Sequence, residues 1–324
     1  PQHTAQVAQK SRRRNDPENV FSDVGGGKKK RFLRAKDCER INVDTTVQEK
    51  AIKFPTDSSL QHNAREKLVK ACKPREIILR QTYSRLSKKS LIMQGRYSHA
   101  RQMKRAKRER KSIRTYLGRV IRDIKRKVAA PDAELKELLD LAEQLYEQKR
   151  TDKNKLYSLW APEVECISKG KAHKKYEYGC KVAFATTCKN SWIVSVSAIH
   201  GNPYDGHTLE ESVDIAEQCT GVRAKTAFVD KGYKGKEHHP EDVEVLMTGR
   251  RGLKGIKKKL LRARSAIEPV IGHMKNEHGL AKNQLHGKDG DKINAILSAT
   301  AFNFRKILRM LRRESSDSKC LVAC

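Results

Sequence analysis

Between residues 64 and 130 the chain carries 23 lysines and arginines against 4 acids. Such a stretch repels itself unless a polyanion neutralises it. An ordinary solvated helix face mixes signs, whereas the run from Arg101 to Arg114 carries eight bases and one acid, Glu109. The stretch is also rich in Lys, Arg, Leu and Ala, which favour helix. From Leu60 to about Arg150 it predicts three or four helices, interrupted at Pro74, Gly95, Gly118 and Pro131. The block therefore reads as a basic helical surface for nucleic-acid phosphates, with Arg101, Lys104, Arg105, Lys107 and Arg108 as its densest cluster.

The rest of the chain narrows the class. In 324 residues, 70 Lys and Arg stand against 38 Asp and Glu, a formal charge of +32. This length accommodates one large domain with an insertion, or two domains. No apolar run reaches the ~18 residues that span a bilayer, and Pro1 to Lys10 lacks the apolar stretch of a secretion signal. An intracellular protein with no membrane partner is expected. The eight cysteines form no Cys-x-x-Cys pair and have no His at zinc-finger spacing. They read as reduced thiols, and structural zinc is not expected.

Strand signals flank the basic block. Ile41 to Val47 alternates, so Ile41, Val43, Thr45 and Val47 share one face and Asp44 points the other way. Phe54 to Ser59 is a turn, with Asp57 or Ser58 as the cap of the helix that follows. Beyond Lys155 come a hairpin (178–186 and 191–199, turning at Cys188-Lys189-Asn190), an amphipathic helix near 208–219, strands at 226–230 and 243–247, and helices near 256–280 and 290–313. This order predicts an α/β fold, a ribonuclease-H-like mixed sheet with flanking helices, interrupted after its first strand by the basic helical insertion. The expected divisions are a mostly disordered basic arm at 1–40, the first core strand at 41–57, the insertion at 58–155, the remaining core at 156–313 and a polar tail at 314–324.

Three acids fall at core elements of that sheet. Phe228-Val229-Asp230-Lys231-Gly232 is an apolar strand ending on an acid and turning on glycine, and ligands of open α/β sheets gather at such strand ends. An Asp ending a strand is also an ordinary structural feature. Glu268 lies four residues after Arg264 and seven before Lys275, so one continuous helix would put all three on a face. Alternatively Pro269 opens a helix, and Ser265 with Glu268 forms a capping box. Clustered with Asp44, these carboxylates require cations between them, and Mg²⁺ suits an all-oxygen set.

With those residues in view, the chain from about Ala35 to Leu311 resembles DDE transposases of the bacterial insertion-sequence class called the IS-five family. The matching segments are VDTTVQEKAI (43–52), FPTDSSL (54–60), YSLWAPEVECISKGKAH (157–173), YEYGCK (176–181), GNPYDGHTL (201–209), FVDKGYKG (228–235) and RSAIEPVIGHMK (264–275). The last fits an R-x3-E-x6-K pattern. The resemblance implies that Asp44, Asp230 and Glu268 chelate two Mg²⁺ or Mn²⁺ ions and that Arg264 and Lys275 hold DNA phosphates, with Lys231 and Lys234 acting likewise. Asp205 and His207 are then candidates for supporting the metal ligands, or equally for capping the helix they precede. His173 reads as a loop or DNA-facing residue, and His238 and His239 as loop surface.

The implied partners are double-stranded DNA, both the element's terminal inverted repeats and the target, and a second or further copy in a synaptic complex. The implied place is the bacterial cytoplasm at the nucleoid. Residues 1–34 depart from the pattern, lacking the helical region expected to bind element ends, as a truncated or frame-shifted gene would leave it. Beside an active transposase stand a catalytically silent DNA-binding remnant and a metal-dependent nuclease of the same fold. A basic structural protein of ribosomes or chromatin fits the acids at strand ends poorly.

Overall fold

The structure is a computed structural model and describes residues 32–149, 151–168 and 174–322, the last ten by backbone alone. His173 and most of the basic arm lie outside the described residues. The chain divides into two compact units, one of residues 1–51 with 167–324 and one of residues 52–166.

The first unit is a mixed sheet. Its strands are β1 (Arg40–Lys50), β2 (Glu165–Ile167), β3 (Glu177–Thr187), β4 (Ile193–Ile199), β5 (Thr226–Val229), β6 (Glu244–Met247) and β7 (Lys282–Asn283). The order is β2-β3-β1-β5-β6, with β4 beside β3 and β7 beside β1. β1 pairs antiparallel with β3 and parallel with β5, while β5 and β6 are parallel. The β3–β4 hairpin turns through Asn190 and Ser191, both with positive φ, and closes on Thr187 N–H donating to the Trp192 carbonyl. This is a ribonuclease-H-like sheet, and the helical unit interrupts it after its first strand.

Helices cover both faces. One core joins Ile41, Val43, Ala185, Ala227 and Val229 of the sheet to Leu209, Val213 and Ala216. These last belong to α6 (Leu209–Thr220), which Gly221 ends at φ +70°. The other joins Cys180, Val182, Ile193 and Ala198 to Val270 and Met274 of α8 (Ile267–Glu277), and to Ala295 and Ala299 of α9 (Gly287–Val322). Side chains alternate along a strand. Ile41 and Val43 therefore face α6, while Asp44 is turned toward the side that carries α8. The helix expected over 256–280 is two helices: α7 (Gly255–Ala263) ends, a 3₁₀ turn spans Arg264–Ala266, and α8 begins at Ile267.

The second unit packs α2 (Asp57–Cys72), α3 (Ser84–His99), α4 (Met103–Lys127) and α5 (Ala133–Glu147); a short α1 (Ala35–Cys38) precedes β1 in the first unit. Along α4, Ile113, Leu117, Val120, Ile121 and Ile124 recur at helical spacing and are buried. Leu117, Val120, Ile121 and Ile124 meet Leu60 and Leu68 of α2 and Leu135, Leu139 and Leu145 of α5 in one core. Asp132 caps α5, accepting from Leu135 N–H at 2.8 Å.

Three local expectations change. The cap of α2 is Thr56, whose hydroxyl accepts from Ser59 N–H, because Thr56 is the last extended residue and Asp57 is already helical. Gly95 and Gly118 lie inside α3 and α4. Gly118 is a contact glycine: a Cβ there would come within 2.6 Å of the Tyr146 ring. The breaks fall at Lys73–Tyr83, Ala100–Gln102 and Val128–Asp132, where helical hydrogen bonding lapses.

Candidate active site

The β1–β5 register organises the site. Arg40, Ile41 and Asn42 stand opposite Thr226, Ala227 and Phe228. Two residues further along each parallel strand come Asp44, still within β1, and Asp230, just past the end of β5. Parallel neighbours lie about 4.8 Å apart, and Asp230 keeps an extended backbone. The two acids are therefore level at one end of the sheet. Each has a local tie: Asp44 Oδ1 accepts from Thr45 N–H at 2.8 Å, and Asp230 Oδ1 accepts from Gly232 N–H at 2.7 Å.

Glu268 approaches through Arg264. The buried guanidinium puts Nη1 3.4 Å from Asp44 Oδ2 and Nη2 4.0 Å from Glu268 Oε1. The helix break allows this, because the 3₁₀ turn swings Arg264 inward while Glu268, 66% exposed, stays at the surface of the first turn of α8. The capping box does not form; Ala266 precedes α8 with no side-chain cap, and Pro269 lies in its first turn, where no intrahelical N–H is needed. Lys275 is half-buried two turns along α8 from Glu268, and Lys231 and Lys234 are exposed in and after the turn that follows Asp230.

A cavity of about 590 Å³ opens between these elements, with Asp230, Arg264 and Glu268 in its lining. Its walls add Lys231, Arg250, Arg251, Lys258 and Arg262. The last four escaped sequence reasoning, although Gly249 and Gly252, at φ +90° and +80°, mark the turn that presents Arg250 and Arg251. Acidic side chains thus stand in one cavity with basic ones around them.

Asp205 joins the group from the other side. It opens the 3₁₀ turn before α6, and its Oδ1 accepts from Thr45 Oγ1 and from Lys181 Nζ, both at 3.0 Å. A Cβ on Gly232 would lie 2.8 Å from Asp230 Oδ1 and 3.1 Å from Asp205 Oδ2, so only glycine leaves room for both carboxylates. Tyr233, fully buried next to it, was also missed. Burial, then the charges of Asp44, Asp205 and Asp230, hold its phenol well above the ordinary range, with Thr208 opposing.

His207 turns away from Asp205. Its Nε2 lies 3.3 Å from Nε2 of His238, with Tyr204 edge-on to both rings. His238 and His239 are thus not plain loop surface: both are half-buried, and His239 Nε2 bonds the Tyr233 carbonyl at 2.8 Å. In the helical unit, Arg101, Lys104, Arg105, Lys107 and Arg108 are all exposed, because Ala106 and the Ile113 stripe take the buried face of α4.

Among the described residues a second group has metal-ligand character. Cys180, His200 and Asp291 bring their ligand atoms within 4.8 Å of one another. They are too scattered along the chain for a spacing rule to reveal. Asp291 Oδ1 already receives Lys50 Nζ at 2.9 Å and Asn283 Nδ2 at 2.6 Å. That ties β1, β7 and α9 together, and the thiol is a soft ligand that Mg²⁺ does not favour.

Residues 147–304 match the family described as Transposase DDE domain. That stretch, just under half of the chain, is similar to a transposase DDE domain. It includes Asp205, Asp230, Arg264, Glu268 and Lys275; Asp44 precedes it and joins it through the β1 pairings. The chain is also 52% identical over 69 residues to an uncharacterized protein, ORF8 in the nfe locus of Rhizobium meliloti. That similarity covers 21% of this chain, which spans about a third, 33%, of the relative's length. No solved structure matches the chain. Among the described residues no helix is long and apolar enough to cross a membrane.

The three carboxylates fit divalent ions by their chemistry. All the donors are oxygen, and next to Asp230 a glycine keeps that carboxylate and Asp205 unobstructed.

Proposed function

We propose that this chain is a DNA transposase that cleaves the ends of its element and joins the freed 3′-hydroxyls to target DNA. The observation that carries the reading is that Arg264 contacts both Asp44 and Glu268 and lines one basic-walled cavity with Asp230 and Glu268. Asp44, Asp230 and Glu268 would hold two Mg²⁺ or Mn²⁺ ions. Held there, such ions would supply an activated water or 3′-hydroxyl and would stabilise the charge on the oxygen that leaves phosphorus.

The chain's own residues do the rest. Arg264 fixes the two carboxylates it touches, and Asp205 holds Thr45 next to Asp44. Lys231, Lys234, Lys275 and the arginines of the cavity wall hold phosphates on either side of the scissile bond. In the first step water attacks phosphorus, the P–O3′ bond breaks and a 3′-hydroxyl is freed. In the second that hydroxyl attacks a target phosphorus and displaces a target 3′-oxygen, so one phosphodiester replaces another and no energy source is needed. The exposed bases of α4 bind backbone phosphates, which gives affinity with little sequence readout. Double-stranded DNA is the partner, as terminal inverted repeats and as target, and two copies act together at the nucleoid of a bacterial cell.

The test is a strand-transfer assay on labelled terminal-repeat DNA with a supercoiled target and Mg²⁺ or Mn²⁺. Joined products are expected. Hydrolysed ends that never join would make the protein a nuclease, and binding with no product would make it a silent remnant.

A further inference from the structure

The long helix α9 is apolar on two opposite faces. One face is buried in the sheet core through Ala295 and Ala299. On the other, Ile293, Leu297, Phe304 and Leu308 are 50%, 59%, 59% and 53% exposed, a stripe at helical spacing that runs over four turns with exposed Thr300 at its middle. A helix with apolar residues on both sides is normally covered on both, and among the described residues this stripe is half or more exposed.

The stripe is complementary to itself when turned end for end. We infer that it is the contact between two copies of the chain, packed antiparallel about a two-fold axis at Thr300–Ala301. In that register Ile293 meets the partner's Leu308 and Leu297 meets the partner's Phe304. The same axis sets Asp289, 91% exposed and only 3.7 Å from Lys292, against the partner's Arg312. Opposite charges thus fall at the two ends of one apolar strip, each at the distance from the axis that its complement needs, and the small side chains of Thr300 and Ala301 let the helices approach at the crossing. An unrelated partner would require no such symmetry. An isologous contact of this kind is how a two-fold dimer forms. The inference gives the paired copies of the preceding reading a surface, and rests on that reading only for the purpose of the pairing.

The test is sedimentation equilibrium of the full chain without DNA, at moderate salt so that repulsion between two chains of net charge +32 is screened. A reversible dimer is expected. Leu297→Glu and Phe304→Glu, at exposed positions where the fold should stay intact as checked by circular dichroism, should each weaken it by about a hundredfold. Asp289→Arg and Arg312→Asp should each weaken it several-fold, and the double exchange should restore it, which a parallel pairing would not do. A monomer at every concentration overturns the inference, whether its stripe is bare or covered by residues 1–31 of its own chain; so does a dimer indifferent to Phe304→Glu. Mass is read here and not chemistry, so the contact and the transposase reading can fail separately.

Discussion

Asp44 and Asp230 stand two residues beyond the same opposed pair, Asn42 and Phe228, on adjacent parallel strands. Nearly all of the sequence between β1 and β5 intervenes, including the whole helical unit, yet the parallel register makes them neighbours. Glu268, exposed on α8, is linked to them by Arg264, which lies 4.0 Å from its carboxylate and 3.4 Å from that of Asp44.

Arg264 should matter more for arrangement than for charge. Arg264→Ala leaves a half-buried Asp44 without its cation, and a stability loss of roughly 1–3 kcal/mol is expected, with a larger fall in cleavage than in DNA affinity. Arg264→Lys, which cannot reach both acids at once, should recover stability better than activity. Thermal unfolding and a cleavage assay on the same variants check this.

Gly232→Ala places a methyl against Asp230 Oδ1 and Asp205 Oδ2. Metal-dependent cleavage should drop at least about tenfold, a barrier rise of about 1.4 kcal/mol, while binding of nonspecific duplex stays within error. Unchanged cleavage would mean the two carboxylates do not need their present spacing.

Duplex affinity should fall steeply with salt. Each lost phosphate contact among Arg101, Lys104, Arg105, Lys107 and Arg108 should reduce the log–log slope by about 0.9. Single alanine variants titrated by fluorescence anisotropy at several salt concentrations test the five in turn; a slope that none of them alters removes this face from the DNA contact.

Lys306 lies half-buried with Nζ 5.0 Å from the Trp192 ring, and burial lowers its pKa from 10.5 to about 8. Between about 8 and 10.5 the unfolded chain therefore holds a proton that the folded chain has released, so this residue makes stability rise with pH across that window. Below it, the folded state bears the full cost of a buried charge. Lys306→Met should raise the melting temperature at neutral pH and flatten the rise above pH 8 relative to wild type, as differential scanning across that range would show.

Much of the fold was legible because its signals are local. The alternation at Ile41–Val47, the glycine turn after Val229 and the helical composition of 64–130 each dictate their own element. The site was legible only as three acids and a resemblance. Neither periodicity nor spacing could reveal that Arg264 turns inward, since this depends on a 3₁₀ break between α7 and α8 that Pro269 signals only loosely. No sequence signal singles out Tyr233, whose importance lies in its burial, or Arg250, Arg251, Lys258 and Arg262, which come from separate segments to line one cavity. His238 was misjudged for the same reason: its partner, His207, is remote in the chain.

Asp44, Asp230 and Glu268 are proposed to do metal-dependent chemistry on DNA. The most direct measurement compares the protein with Asp230→Asn, whose side-chain oxygen can still accept from Gly232 N–H, on labelled terminal-repeat duplex with Mn²⁺ and with chelator. Cleavage should require the metal and disappear in the variant while duplex binding and the melting temperature are kept. Cleavage by Asp230→Asn at the wild-type rate, or cleavage that persists in chelator, would contradict that proposal.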